Sequence, residues 1–239
     1  MRSDSLAPAA IALLNVTKCY GAFAAVSDLD LTVPAGEVLG FLGPNGAGKT
    51  TTIRLLLGFL RPSAGAVQLL GHDMADPAAA LQARGRLGFV PDVAGLDLAA
   101  TGLWLLDDLA RLQRRPPIDR DRLVDALELR RQDLRRPMGR LSRGTRQKIN
   151  IVQGMQHRPD LLILDEPTEG LDPLAKRALF GLLRELHGRR HDLLLLARAQ
   201  RGRGSLRPRR ADPRRAAGGG RSHRRFAQPD AAPRDCPVG

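Results

Sequence analysis

Aromatic residues make up only 3% of this 239-residue chain, with one tryptophan (Trp104) and one tyrosine (Tyr20). Aliphatic side chains must therefore fill any core, and a hydrophobic content of 43% is enough for one. Cysteine is nearly missing, since Cys19 and Cys236 are the only two. They give neither a disulfide framework nor a metal-ligand spacing, and they fit a reducing cytosol. No apolar run approaches the roughly 18 residues of a membrane span, and Leu193 to Ala197 is far too short. The start, Met1 to Asn15, lacks the length and cleavage pattern of a signal peptide. The expectation is a chain that is soluble alone and meets a membrane only through a partner.

Net charge is +13, which invites a nucleic-acid reading. Its distribution argues against that. Residues 197–239 hold twelve arginines, three aspartates, no lysine and no glutamate, so they carry +9 and leave +4 for the rest. No specific nucleic-acid partner is expected. His72, His157, His187 and His191 show no ligand spacing and are expected on the surface.

The length suits one large domain, or one domain with an inserted subdomain. Strand and helix signals alternate, which predicts an α/β fold. Strands are expected at Ile11–Val16, Val26–Val33, Glu37–Leu42, Val67–Leu70, Arg86–Pro91, Leu161–Leu164 and from Leu193 to Leu196. Helices are expected at Lys49–Leu60 and Leu174–His187, the second with Ala178, Leu179, Leu182, Leu183 and Leu186 on one face. From about Ala94 to Arg140 the chain is rich in Leu and Arg with helical periodicity, broken at Pro116-Pro117, and reads as an inserted helical subdomain.

Gly43-Pro44-Asn45-Gly46-Ala47-Gly48-Lys49-Thr50 fits the phosphate-binding spacing G-x-x-x-x-G-K-[ST]. The glycines let backbone N–H groups curve around an anion, and the following helix adds its positive end. Lys49 suits the β- and γ-phosphates and the Thr50 hydroxyl suits Mg²⁺. Asp165 and Glu166 end an apolar strand, where ligands of open α/β sheets gather. Asp165 can hold magnesium through water, and Glu166 can polarise an attacking water as general base. Between these motifs lies Leu141-Ser142-Arg143-Gly144-Thr145-Arg146-Gln147.

With that third motif the chain resembles the nucleotide-binding subunit of ABC transporters, over roughly residues 11 to 196. The resemblance implies a P-loop NTPase (RecA-like) core with an inserted α-helical subdomain. It implies an ATP-binding domain at 1–196, whose helical subdomain at about 94–156 carries the signature, and an Arg-rich tail at 197–239. ATP and Mg²⁺ are the implied cofactors. Gly43 to Thr50 corresponds to Walker A, with Thr51 beside it, and Leu161 to Glu166 to Walker B. Leu141, Ser142, Arg143, Gly144 and Thr145 correspond to the signature that meets a nucleotide held by another subunit. Asp172 belongs to the D-loop, Glu169 to Pro173. Tyr20 sits where the family stacks a ring on adenine, the alternative being a strand-end tyrosine in the core.

The chain departs from that pattern at several places. Arg143 and Thr145 replace a glycine and a glutamine of the common signature, in a form similar to drug-resistance and ABC-2 exporters. Glu169 stands where Ser or Asn is usual. Asp92, after Pro91, stands for the usual Gln or Glu and could reach Mg²⁺ or water with a shorter arm. Gly102 to Leu109 is a candidate surface for a permease's coupling helix, although Trp104 itself reads as internal packing.

The resemblance also implies a histidine after the strand at Leu193–Leu196, followed by closing strands. The chain instead continues as Ala197-Arg198-Ala199-Gln200 into an Arg-Pro-Gly-Ala mixture that cannot bury a core. A one-nucleotide shift near Leu194–Leu196 permits an ending of the family's kind, so a frameshift is one reading. A genuine basic tail for acidic lipid or RNA is the other. On the first, ATP turnover is weak or absent.

The implied function is ATP hydrolysis for an exporter, by a homodimer or paired ABC subunit on an integral membrane permease, at the cytoplasmic face of the membrane. The alternatives are a defective remnant of such a subunit and, third, a soluble ABC protein acting on DNA or ribosomes.

Overall fold

The structure, a computed structural model, describes residues 9–43, 47–92, 97–188 and 192–198. Two sheets organise it. An antiparallel sheet has the order β2-β1-β4-β5, from β1 (Ala9–Tyr20), β2 (Phe23–Pro34), β4 (Ala64–Leu69) and β5 (His72–Asp73). A parallel sheet has the order β3-β8-β7-β6, from β3 (Val38–Gly43), β8 (Asp192–Arg198), β7 (Leu161–Asp165) and β6 (Leu87–Val90). The carboxyl ends of these parallel strands therefore lie along one edge, with the ends of β3 and β7 on either side of β8. That edge is where an open α/β sheet places its ligands.

β7 divides the interior because its side chains alternate between faces. Leu161 and Ile163 join a core with Ile11, Leu13, Leu55, Leu56 and Leu69. Leu162 and Leu164 join a second core with Leu106, Leu123, Ile149, Val152 and Leu179. The first binds the antiparallel sheet and α1 (Lys49–Leu56) to the parallel sheet. The second binds the helical insertion and α7 (Pro173–Gly188) to its other face. Both are aliphatic, as the scarcity of aromatics requires.

The insertion consists of α3 (Gly102–Gln113), α4 (Arg120–Ala126), α5 (Arg131–Leu134), a 3-10 turn at Met138–Arg140 and α6 (Arg143–Met155). Pro116 and Pro117 fall between α3 and α4, where the sequence signalled a break.

Some expectations need correction. α1 stops at Leu56 rather than Leu60, because Gly58 takes φ +70 and closes a Schellman motif. Phe59 N–H donates to Arg54 O at 2.8 Å and Gly58 N–H to Leu55 O at 3.0 Å. A helix that was not expected, α2 (Pro77–Gly85), starts at Asp76, whose carboxylate caps Ala78 N–H at 2.9 Å. β8 runs two residues past the boundary expected at 196, pairing Ala197 with Leu42 and Arg198 with Gly43. The tail from residue 199 onward, with its frameshift reading, lies outside the described residues, as do His191 and the side chain of His187.

His157 is not on the surface. It is 3% exposed, and its Nε2–H donates to Leu87 O at 3.2 Å. Burial pulls its pKa down to about 4. Trp104 is 53% exposed, so it does not pack internally. It follows the Thr101 N-cap of α3 on the side away from buried Leu106.

Candidate functional site

The first turn of α1 is built for an anion. Gly48 precedes it with φ +75 and no side-chain cap, and the turn contains no acidic residue. Its first N–H groups thus lack a capping side chain and point out of the helix start. No other residue fits at Gly48, because a Cβ there would lie 2.5 Å from Ala25 O. Thr52 locks the turn by donating its N–H and Oγ1–H to Gly48 O at 2.8 and 3.0 Å. Lys49 is buried at 8% exposure, while Thr50 is exposed.

A cavity of about 680 Å³ opens at this turn. Gly48, Lys49, Thr50 and Thr51 line it from α1, Asp165 and Glu166 from the end of β7, Asp92 from the loop after β6, and Tyr20 from the end of β1. Arg143, Glu169, Ala25 and Phe23 complete the wall. Tyr20 is half exposed at the rim, with Lys18 Nζ 5.5 Å from its ring centre, so it is not a core tyrosine. Phe23, 63% exposed, is a second ring there that sequence reading missed. It lies just beyond the Gly21 turn, and that proximity to Tyr20 was its only signal.

Asp165 is half-buried, and desolvation, followed by the neighbouring charge of Asp92, raises its pKa, while Lys49 opposes them. A carboxylate whose charge is disfavoured in this way gains from a nearby cation. Among the described residues, no three His, Cys, Asp or Glu side chains could hold a metal ion together. Thr50 with one or two carboxylates, supplemented by substrate phosphates, matches how Mg²⁺ is usually held. The donor set therefore fits Mg²⁺ bound together with a nucleotide. Glu166 has φ +47, a strained backbone for a non-glycine residue.

The stretch Leu141 to Gln147 spans the start of α6 (Arg143–Met155). Ser142 caps that helix by accepting the Thr145 N–H at 3.1 Å, and its Oγ lies 2.9 Å from Thr145 Oγ1. Leu141 is buried in the second core, and a Cβ on Gly144 would meet Gly170 O at 2.7 Å. Leu141, Ser142, Gly144 and Thr145 do not line the cavity, whereas Arg143 does. Asp172 caps the next helix by accepting the Ala175 N–H at 2.8 Å, which holds its carboxyl below the usual range. Gly43 ends β3 and half-buried Ala47 precedes Gly48, while Pro44, Asn45 and Gly46 lie outside the described residues.

Residues 26–169 match the sequence profile of the ABC transporter family. The chain belongs to that family. The cassette is 38% identical over 196 residues to Nod factor export ATP-binding protein I of Rhizobium johnstonii, covering 81% of this chain and 62% of that protein. It is 39% identical over 197 residues to the protein of the same name from Cupriavidus pinatubonensis, covering 78% and 58%. The cassette thus spans about three fifths of the length of these curated relatives. A solved ATP-binding subunit of an ABC transporter superposes with TM-score 0.71 at 28% identity, covering 79% of each chain. A dimeric bacterial ABC transporter cassette shares the fold at TM-score 0.69 and 22% identity, covering 78% of this chain and 87% of that one. No helix among the described residues is long and apolar enough to cross a membrane.

Proposed function

We propose that this cassette binds and hydrolyses MgATP as the motor subunit of an exporter, working in pairs beneath an integral membrane permease at the cytoplasmic face. The observation that carries it is the convergence of Lys49 and Thr50 with Asp165 and Glu166 on one cavity. The phosphates would lie against the first turn of α1, with Lys49 neutralising their charge and Tyr20 stacking on the base. Bound Mg²⁺, held by Thr50 and Asp165, with Asp92 nearby, would neutralise phosphate charge. Glu166 would orient a water and take its proton. Pro44, Asn45, Gly46 and Ala47 would supply the remaining backbone cradle.

Leu141, Ser142, Gly144 and Thr145 would meet the nucleotide of a second subunit, with the D-loop Asp172 near that seam, while Arg143 turns instead to the two carboxylates beside its own chain's cavity. Exposed Trp104, Leu112 and Ile118 on the helical insertion offer an apolar surface for the permease. Similarity to export ATP-binding proteins favours a working subunit over a defective remnant, and over a soluble protein acting on DNA or ribosomes.

The test is hydrolysis by the purified chain beside Glu166→Gln. Turnover by the native chain, with retained nucleotide binding but no turnover in the variant, supports the reading. Sedimentation of Glu166→Gln as a dimer in MgATP supports the paired arrangement. A variant that hydrolyses at the native rate, or stays monomeric at saturating ATP, counts against it.

A further inference from the structure

Three positions that depart from the family pattern meet in the fold. Arg143 Nη2 lies 3.0 Å from Glu169 Oε1 and 3.7 Å from Asp92 Oδ1. The arginine stem runs over Gly170, where an added Cβ would meet its Cγ at 3.1 Å. The helix bearing Arg143 also grips both acidic segments through other residues. Gln147 Nε2 donates to Pro167 O at 3.0 Å, and Lys148 Nζ stands 3.6 Å from Asp172 Oδ2. Further along, Asn150 and Gln153 donate to Pro91 O and Phe89 O, each at 2.5 Å. α6 is therefore a strut between the loop after β6 and the turn after β7. Among the described residues, Arg143 is the one that makes an ion pair with each.

Those two segments bring Asp92 and Glu169 to a cavity that already holds Asp165 and Glu166. Like charges in one cavity repel unless a cation lies between them. Arg143 supplies that cation for the outer two, through a single nitrogen.

We propose that Arg143 is a positioning residue that clamps Asp92 to Glu169. The clamp holds the loop after β6 and the turn after β7 at the spacing that the acidic edge needs during hydrolysis. This rests on the reading of the cavity as an ATP-hydrolysing site. Arg143 acts through the two carboxylates rather than on its own chain's nucleotide, so its loss falls on kcat and not on KM.

The experiment compares the full chain with Arg143→Ala, Arg143→Lys, Glu169→Gln and the Arg143→Ala/Glu169→Gln double variant. It reads ATP hydrolysis, binding of a fluorescent ATP analogue and hydrogen–deuterium exchange over residues 166–172. Ion pairs this exposed act modestly, so Arg143→Ala is expected to lower kcat by about three- to tenfold and leave KM and analogue affinity within about twofold. Exchange over 166–172 rises. Arg143→Lys restores both, because one nitrogen makes both contacts. The double variant is no slower than Arg143→Ala, because both substitutions break the same clamp. Native exchange in Arg143→Ala, a raised KM at native kcat, or losses that multiply independently would overturn the proposal. If the native chain neither binds nor hydrolyses the nucleotide, the ATP reading fails, and exchange without nucleotide still decides whether the clamp exists.

Discussion

Gln147, on α6, donates its amide N–H to the carbonyl of Pro167, the residue after Glu166, at 3.0 Å. Gln147 is 2% exposed, so this bond forms away from water. It ties the inserted subdomain to the end of β7. Gln147→Leu would leave the buried carbonyl without that partner, at a cost of about 1–3 kcal/mol. Chemical denaturation should show that loss, and hydrolysis should fall more than nucleotide affinity.

Gly48→Ala should abolish nucleotide binding. The substitution forces an alanine into φ +75 and drives its Cβ to 2.5 Å from Ala25 O. The left-handed conformation alone costs about 1–2 kcal/mol, and the clash must displace β2 or the first turn of α1. Calorimetric titration with MgATP, beside a circular dichroism check of folding, reads the effect. Native affinity in a folded Gly48→Ala chain would refute this account of the turn.

Glu166 carries its carboxylate on a strained backbone, φ +47. Glycine adopts that conformation without strain, so Glu166→Gly should be more stable than Glu166→Gln by about 1 kcal/mol. Neither should hydrolyse ATP. Paired thermal melts and turnover assays check this exchange of stability for chemistry.

His157 should impose an acid limit on stability. Its folded pKa is about 4, against 6.5 for the free side chain, because burial disfavours the charged ring. The unfolded state therefore takes up the proton first. Stability from this group is fully present above about pH 6.5 and is lost as pH falls towards about 4. The loss is of order 3 kcal/mol. His157→Gln can still donate to Leu87 O and should flatten the dependence in that window. Urea midpoints between pH 4 and 7 decide it.

The phosphate turn and the end of β7 were legible because each motif's spacing carries its own mechanics, strand into loop into helix or apolar run into carboxylates. The parallel strands were legible as short aliphatic runs. Leu60 keeps the apolar spacing and carries the expected α1 four residues past its end, while Gly58 ends the helix through backbone geometry. The start of α2 has a local signal in the sequence, the Asp76 cap followed by the first-turn Pro77. Trp104 lies exposed because which face of α3 meets the core depends on packing between distant elements, and periodicity within a subdomain of mixed Leu and Arg leaves that open. His157 lies in the turn after α6, where no helical period applies, and it is buried against Leu87 of β6. The meeting of Arg143 with Asp92 and Glu169 joins three separate segments, and no local pattern encodes it.

The central claim is that the first turn of α1 and the carboxylates at the end of β7 form one MgATP site. Titrating a fluorescent ATP analogue onto the purified chain in Mg²⁺, beside Lys49→Ala, tests it most directly. The account predicts saturable binding at one site per chain, weakened at least about tenfold when the Lys49 charge is removed. Absence of saturable binding by the native chain, or native affinity in Lys49→Ala, would contradict it.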